Sequence, residues 1–550
     1  MNKIDYLIIG AGSAGCVLAN RLSKNPNHNV LLLEAGSPDK DINIHLPGAY
    51  AKLHKSAVDW GFWTEPQPHV LDRAIYLPRG KTLGGCSSTN AMAYVRGNRA
   101  DYDRWATAGN EGWDYESILP YFIRSEYNED YDQVDAGYHG NQGELNVGFP
   151  KKFKTPFAEA FIEACQAKGI PLNADYNGKK QTGVNFFQFT IKNGKRHSGA
   201  VAFLKPALKR SNLKAITQAQ VTRILFEGKK AVGVEYLAKG KNKKTIYVEK
   251  EIILSAGAFQ SPQLLLLSGV GDARELSKHG IKCIHQLEGV GKNLQDHLFC
   301  SVSASATIQK GLNHYIPVSN QIGAAFNYFL RKKGPFVIGP LEAVAFIDIH
   351  QKGNPANFQF HFAPIQLGKG YDYDLYDMTT YPKQDGYTIL PTLLQPKSRG
   401  YVTLRSDDPL AAPVVQPNFF EQKEDLMQLV KGVKMALEIM QQKSFDPYRK
   451  EIVAPMDSSS DEAIMEHIKR SVETVYHPVG TCKMGNDDLA VVDNELRVHG
   501  VTNLRVVDAS IMPTIVSGNT NAPTYMIAEK AADLILQKKV IGKKTKEKVL

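Results

Sequence analysis

The chain has 550 residues, enough for more than one hydrophobic core, and its 43% hydrophobic and 22% charged residues are those of an ordinary globular protein. No run approaches the roughly 18 uninterrupted apolar residues of a membrane span, and the first strand follows the N-terminus so closely that no signal peptide is expected. The net charge of +10 is mostly dispersed. Its visible clusters, Lys239–Lys244 and Lys538–Lys548, read as a charged hairpin turn and a frayed terminus, the alternative being a weak surface for anionic lipid or a protein partner; no nucleic-acid motif accompanies them. Six scattered cysteines (Cys16, Cys86, Cys165, Cys283, Cys300, Cys482) without CxxC or metal-ligand spacing point to free thiols, no metal site and a cytoplasmic location.

In chain order, Lys3–Ile9 reads as a buried strand running into Gly10-Ala-Gly12-Ser-Ala-Gly15, then a helix over Cys16–Leu22 and a second strand over Asn29–Leu33 that ends on Glu34. Each part has a purpose: Gly10 for the tight turn, Gly12 for backbone N–H groups near a pyrophosphate, Gly15 for helix–strand packing, Glu34 for ribose hydroxyls. The order strand, loop, helix, strand, acid makes this an adenine-dinucleotide site. Farther on, Lys214–Phe226 and Ala231–Leu237 alternate like antiparallel strands. Glu251–Leu254 reads as a buried strand before Ser255-Ala-Gly257 and a helix over Gln263–Leu267, and Asn503–Val507 as another strand, ending at Asp508. A helix over Tyr525–Leu536 follows, and one over Asp425–Gln441 sits in a Phe-, Tyr- and Pro-rich region with strand-like runs at Phe358–Phe362 and Tyr401–Leu404.

Three segments carry chemistry. Pro78–Gly97 pairs Gly84 and Gly85 with small hydroxylated residues and Asn90-Ala-Met-Ala93, a backbone able to lie along a flat ring or anion. Val475–Gly485 places His477 before Pro478, which biases the histidine toward extended geometry. Ser517–Pro523 offers Asn521 at the entrance to the last helix. An imidazole that takes an O–H proton and a carboxamide that donates to the developing alkoxide suit alcohol oxidation.

The sequence resembles the glucose–methanol–choline (GMC) oxidoreductases over essentially its whole length. The resemblance rests on GAGSAG with Glu34, GKTLGGCSSTNAMAYVRG, GAFQSPQLLLLSGVG at 257–271, GVGKNLQDH at 289–297, LLQPKSRGYVTLRSDDP at 393–409, YHPVGTCKMG, VVDASIMP and GNTNAP. It implies FAD as cofactor and an α/β fold, α+β overall: a discontinuous Rossmann-like FAD-binding domain at 1–150, 195–304 and 471–550, with a substrate domain at 151–194 and 305–470 carrying an antiparallel sheet. It implies His477 and Asn521 as the catalytic pair. The flavin would be held by Gly10, Gly12, Ser13, Ala14, Gly15, Glu34 and Ala35, and by Leu83, Gly84, Gly85, Ser88, Asn90, Ala91, Met92 and Ala93. Val221, Ala256, Gly257, Asp508, Ala509, Asn519, Ala522 and Pro523 would complete that set. In some members a histidine after the GGCS segment attaches FAD covalently; here Thr89 follows GGCSS, so FAD is expected to be noncovalent.

Expected function is oxidation of a primary alcohol to the aldehyde, with electrons passed to a quinone-like carrier or to oxygen. Alternatives are a choline dehydrogenase or oxidase proper and a non-redox lyase of the same fold. Glu342 among apolar residues, with Trp60 and Tyr476, is the candidate for a substrate cation, its plainer role being a structural carboxylate. The expected location is cytoplasmic, with peripheral contact to the inner membrane as an option.

Overall fold

The computed structural model describes residues 3–537 except 351, 352, 354 and 372, so the Lys538–Lys548 cluster lies outside the described residues. Five strands form a parallel sheet in the order Leu213–Ile216, Val30–Leu33, Tyr6–Ile9, Glu251–Leu254, Leu504–Val506. Tyr6–Ile9 and Val30–Leu33 are buried along their whole length, as central strands covered on both faces must be. The helix Ser13–Leu22 is buried at every residue and packs against the final helix, Asn521–Ile535.

The reading of Lys214–Phe226 as one antiparallel strand is corrected. Leu213–Ile216 pairs in parallel with Val30–Leu33, and only Ala219–Glu227 turns into the antiparallel ribbon with Lys230–Ala238 and Asn242–Tyr247. Alternation alone could not separate the two, because the chain changes sheets within three residues. Lys239–Lys244 does form the expected hairpin turn, with Lys243 paired to Glu235.

A second, antiparallel sheet runs Arg449–Ala454, Val302–Ala306, Gly386–Leu393, Phe358–Ala363, Ala343–Ile347, Gly183–Phe186, and Leu298–Phe299 pairs with the last residues of Gly386–Leu393 and, on its other side, with Glu473–Thr474. Leu298–Phe299, most of Val302–Ala306 and Glu473–Thr474 therefore belong to this sheet, although the division at 304/305 and 470/471 expected from the sequence put them with the parallel one. Period-two alternation sorts the strand Phe358–Ala363. Phe358, Phe360 and Phe362 enter the core beneath the helix Lys423–Met440, while Gln359 and His361 point the other way. Among the described residues no helix is long and apolar enough to cross a membrane.

Candidate active site

A cavity of ≈ 470 Å³ runs from the Gly10–Gly15 loop and Glu34 to His477 under the second sheet. At its first end the backbone dictates the residues. Gly10 has φ +98°, and a Cβ there would lie 2.4 Å from the Ser255 carbonyl oxygen; one on Gly15 would lie 1.9 Å from that of Gly10. A Cβ on Gly12 would meet nothing nearer than 3.9 Å, so this face is open toward the cavity. Gly12 begins the helix Ser13–Leu22 without a side-chain cap, leaving a helix N-terminus to hold an anion. Glu34 accepts from Ala11 N–H (2.7 Å) and Gly36 N–H (2.8 Å), one per carboxylate oxygen, which leaves a lone pair on each for a ribose hydroxyl. Burial raises its pKa to about 7 against those two N–H groups.

Ser13, Ala14, Ala35, Gly85 and the run Asn90–Ala93 line the same cavity, as do Val221, Ala256, Gly257, Asp508, Ala509 and Thr89. Asp508 is held by Gly257 N–H (2.9 Å), the Ser261 hydroxyl (2.6 Å) and Ser510 N–H (2.8 Å). Gly15, Leu83, Gly84, Ser88, Ala522 and Pro523 do not reach the cavity. They stand behind it: Gly84 N–H donates to Ala11 O (2.7 Å), and the Ser88 hydroxyl to Leu83 O (2.7 Å). An open anion site, an acid at ribose position and a flat Gly-Ala loop in one continuous cavity fit FAD.

The other end is built from side chains of distant elements. His477 sits in the loop after Glu473–Thr474, pinned where Tyr476 takes φ +66° and Arg79 donates to its carbonyl (2.6 Å). Asp296 accepts from both His477 N–H (2.8 Å) and His297 N–H (2.9 Å), and from the Thr474 hydroxyl. The rings then set one another's tautomers. His297 Nε2 is 3.0 Å from the Leu394 carbonyl, which can only accept, so Nε2 carries the proton and Nδ1 is a lone pair. His477 Nδ1, 3.0 Å from that lone pair, must donate, which leaves His477 Nε2 unprotonated. Burial first, then His297, His361 and Arg79, hold the His477 pKa well below the ordinary imidazole range. The result is a neutral base presented to the cavity.

The carboxamide that meets this base is Asn519, with Nδ2 3.1 Å from His477 Nε2 and Oδ1 accepting from Gln359 (3.1 Å). Asn521, expected in that role, lies two residues on, where the final helix has begun; its amide donates to the Ser13 hydroxyl (2.6 Å) at the dinucleotide loop. Both asparagines line the cavity, Asn519 beside His477 and Asn521 beside Ser13, so the amide next to the histidine is not the one expected. The helix turns their side chains to different ends of the cavity.

Glu342 takes the plainer of its two expected roles. It does not line the cavity but receives Thr155 N–H (2.7 Å) and the Thr155 hydroxyl (2.5 Å), securing the start of the helix Pro156–Ala167. Trp60 and Tyr476 do line it. Lys81 lies over the Trp60 ring at 4.2 Å and Phe62 stacks on it at 5.8 Å, so the ring already carries a cation of the chain itself. The Tyr476 hydroxyl donates to that of Tyr376 (3.1 Å).

His297 and His361 escaped the sequence reading. His361 lines the cavity, its Nε2 without a partner among the described residues, and burial lowers its pKa to about 3. A histidine and a glutamine alternating with three phenylalanines in FQFHFA is the signal that could have found it. His297 closes the quoted GVGKNLQDH motif, but nothing local says that it meets His477, 180 residues away.

A parallel sheet with a dinucleotide loop, feeding a buried base beneath an antiparallel sheet, defines a flavin-type oxidoreductase. Sequence profiles described as GMC oxidoreductase match residues 4–299 and 396–528, and the chain belongs to this FAD-dependent family. It is 43% identical over 540 residues to the alcohol dehydrogenase (acceptor) of Pseudomonas putida, covering 97% of this chain and 96% of that one. It is 43% identical over 547 residues to the mitochondrial choline dehydrogenase of Homo sapiens, covering 97% and 90%. Among solved structures, pyridoxine 4-oxidase from Mesorbium loti superposes with a TM-score of 0.88 at 29% identity, covering 98% of this chain and 100% of the other.

Proposed function

We propose that the chain oxidises a neutral primary alcohol to the aldehyde, with His477 as base and Asn519 as alkoxide donor. The observation that carries this reading is the hydrogen-bond chain from Leu394 O through His297 to His477, which leaves the His477 Nε2 lone pair facing the cavity. The alcohol hydroxyl takes the place of the Asn519 amide at Nε2 and donates its proton there. Asn519 Nδ2, displaced by little, donates instead to the oxygen as negative charge grows on it. The proton resides on His477 Nε2 until it is released, and burial disfavours the imidazolium, which speeds that release. His361 Nε2 offers the substrate a second polar contact from the sheet. FAD held along the Gly10–Gly15 loop, Glu34 and the Asn90–Ala93 run would supply the two-electron acceptor for the hydride that leaves the alcohol carbon.

Bound FAD is noncovalent in this reading, because Thr89 cannot form a ring–nitrogen link; acid precipitation should leave all the yellow chromophore, as FAD, in the supernatant. The acceptor is a quinone-like carrier rather than oxygen in this reading, in keeping with the name of the Pseudomonas relative, an alcohol dehydrogenase (acceptor). A neutral substrate is favoured over choline because Glu342 is engaged by Thr155 and Trp60 by Lys81. The test is anaerobic mixing with choline and with straight-chain and benzylic alcohols while flavin absorbance is followed. Bleaching by the neutral alcohols is expected. Bleaching by choline alone would overturn the substrate, and bleaching by none would overturn the reaction in favour of a lyase. Mixing the reduced protein with a soluble quinone and with oxygen then decides the acceptor.

A further inference from the structure

The helix Val318–Arg331 exposes a stripe that a water-facing helix would not carry. Val318, Ile322, Phe326, Phe329 and Leu330 are 57–72% exposed and fall within about 120° of its circumference, at roughly 100° per residue. Only Ala324 and Tyr328, on another face, are buried against the protein. Isolated exposed apolar residues are ordinary; five large ones aligned on one short helix mark a surface meant to be covered.

Charge says what covers it. From Lys310 to Leu341 there is no aspartate or glutamate, while Lys310, Arg331, Lys332 and Lys333 are cationic, three of them at the C-terminal end of the helix. A second copy of this +10 chain would bring like charge against like. A bilayer with anionic headgroups satisfies both the apolar stripe and the cations, in the way of a helix lying in the plane of the interface. At 14 residues the helix is too short to span one.

Position adds the third argument. The helix packs against the turns Asn313–Tyr315 and Pro335–Val337, and Leu312, Tyr315, Gln321 and Phe336, all half-buried, line the active-site cavity. The apolar stripe thus stands on the rim of that cavity. We propose that the helix Val318–Arg331 is a membrane-docking element that seats the cavity opening on an anionic lipid surface. An alcohol or acceptor dissolved in the bilayer then enters without crossing water. That consequence rests on the proposed function, whereas docking itself does not.

The experiment uses the full-length FAD-loaded protein and vesicles of phosphatidylcholine with or without phosphatidylglycerol, read by co-sedimentation. The parent should bind the anionic vesicles more tightly, and more weakly as salt rises. Ile322→Ser/Phe326→Ser should weaken binding by at least about 10²-fold, because two apolar side chains no longer enter the lipid. Arg331→Gln/Lys333→Gln should weaken it about 30-fold on anionic vesicles and little on neutral ones. Both variants should keep their flavin and the parent's rate of flavin reduction by a water-soluble alcohol. Vesicle binding needs no substrate, so failure of the proposed reaction would not touch it. Absence of parent binding, or serine variants that bind like the parent, would overturn the proposal. So would a parent dimer that the serine variants dissociate while neither form binds vesicles.

Discussion

The two ends of the cavity are built by opposite means. The dinucleotide end is organised around one stretch, residues 9–36, and that stretch works through backbone: two glycines with no room for a side chain, one uncapped helix start, and one carboxylate held by two N–H groups. The chemical end comes from His297, His361, His477 and Asn519, each on a different element, and works through side chains that orient one another. Damage at the first end should cost the cofactor; damage at the second should cost rate with the cofactor in place.

The largest effect expected tests that division directly. Gly15→Val should yield protein without bound flavin, since even a Cβ would sit 1.9 Å from the Gly10 carbonyl oxygen. His477→Ala should retain FAD, measured by the flavin-to-protein absorbance ratio, and lose about 10²–10⁴-fold in anaerobic flavin reduction. A colourless His477→Ala would erase the distinction.

The asparagines sharpen it. Asn519→Ala should slow flavin reduction about 10²-fold at unchanged flavin content, the scale of losing a donor to a developing oxyanion. Asn521→Ala should reduce at close to the parent's rate but release FAD more readily on dilution, because it removes the bond to Ser13. The reverse result would return Asn521 to the base.

Acid gives a third comparison. Because the folded His477 pKa lies well below 6.5, the neutral base is present throughout ordinary pH and is lost only on further acidification. Flavin reduction should therefore stay flat from pH 8 down to pH 6, in rapid-mixing measurements. A decline centred on the ordinary imidazole pKa would show that the ring is solvated and the histidine chain is not formed. His297→Ala, which frees the His477 tautomer, should lower the rate across this range while leaving it flat with pH, since burial remains the main cause of the low pKa.

The smallest effect concerns Glu342. Glu342→Ala should destabilise the protein by about 1–3 kcal/mol, read by thermal or denaturant unfolding, because Thr155 N–H would be left buried without its acceptor. The relative rates with choline and a neutral alcohol should not change. A selective loss with choline would make it a substrate residue after all.

Much of this molecule was legible from its residues alone. Strand, Gly10–Gly15, helix and Glu34 could be read because a backbone turn, a close approach and a helix N-terminus are local demands that only certain residues satisfy. His477 was legible as a candidate from its motif. The identity of its partner was not, since Asn519 and Asn521 share one loop and only the start of the final helix decides which faces the base. Glu342 looked like a cation site because an acid in an apolar run is anomalous; its partner, Thr155, is 187 positions away. The tautomer of His477 likewise depends on a histidine and a carbonyl from two other segments. Sequence determined where the backbone must bend and what it can cradle, because those constraints act within a few residues. Tertiary structure alone decided which side chains meet, because hydrogen bonds between distant segments form only after the sheets have packed.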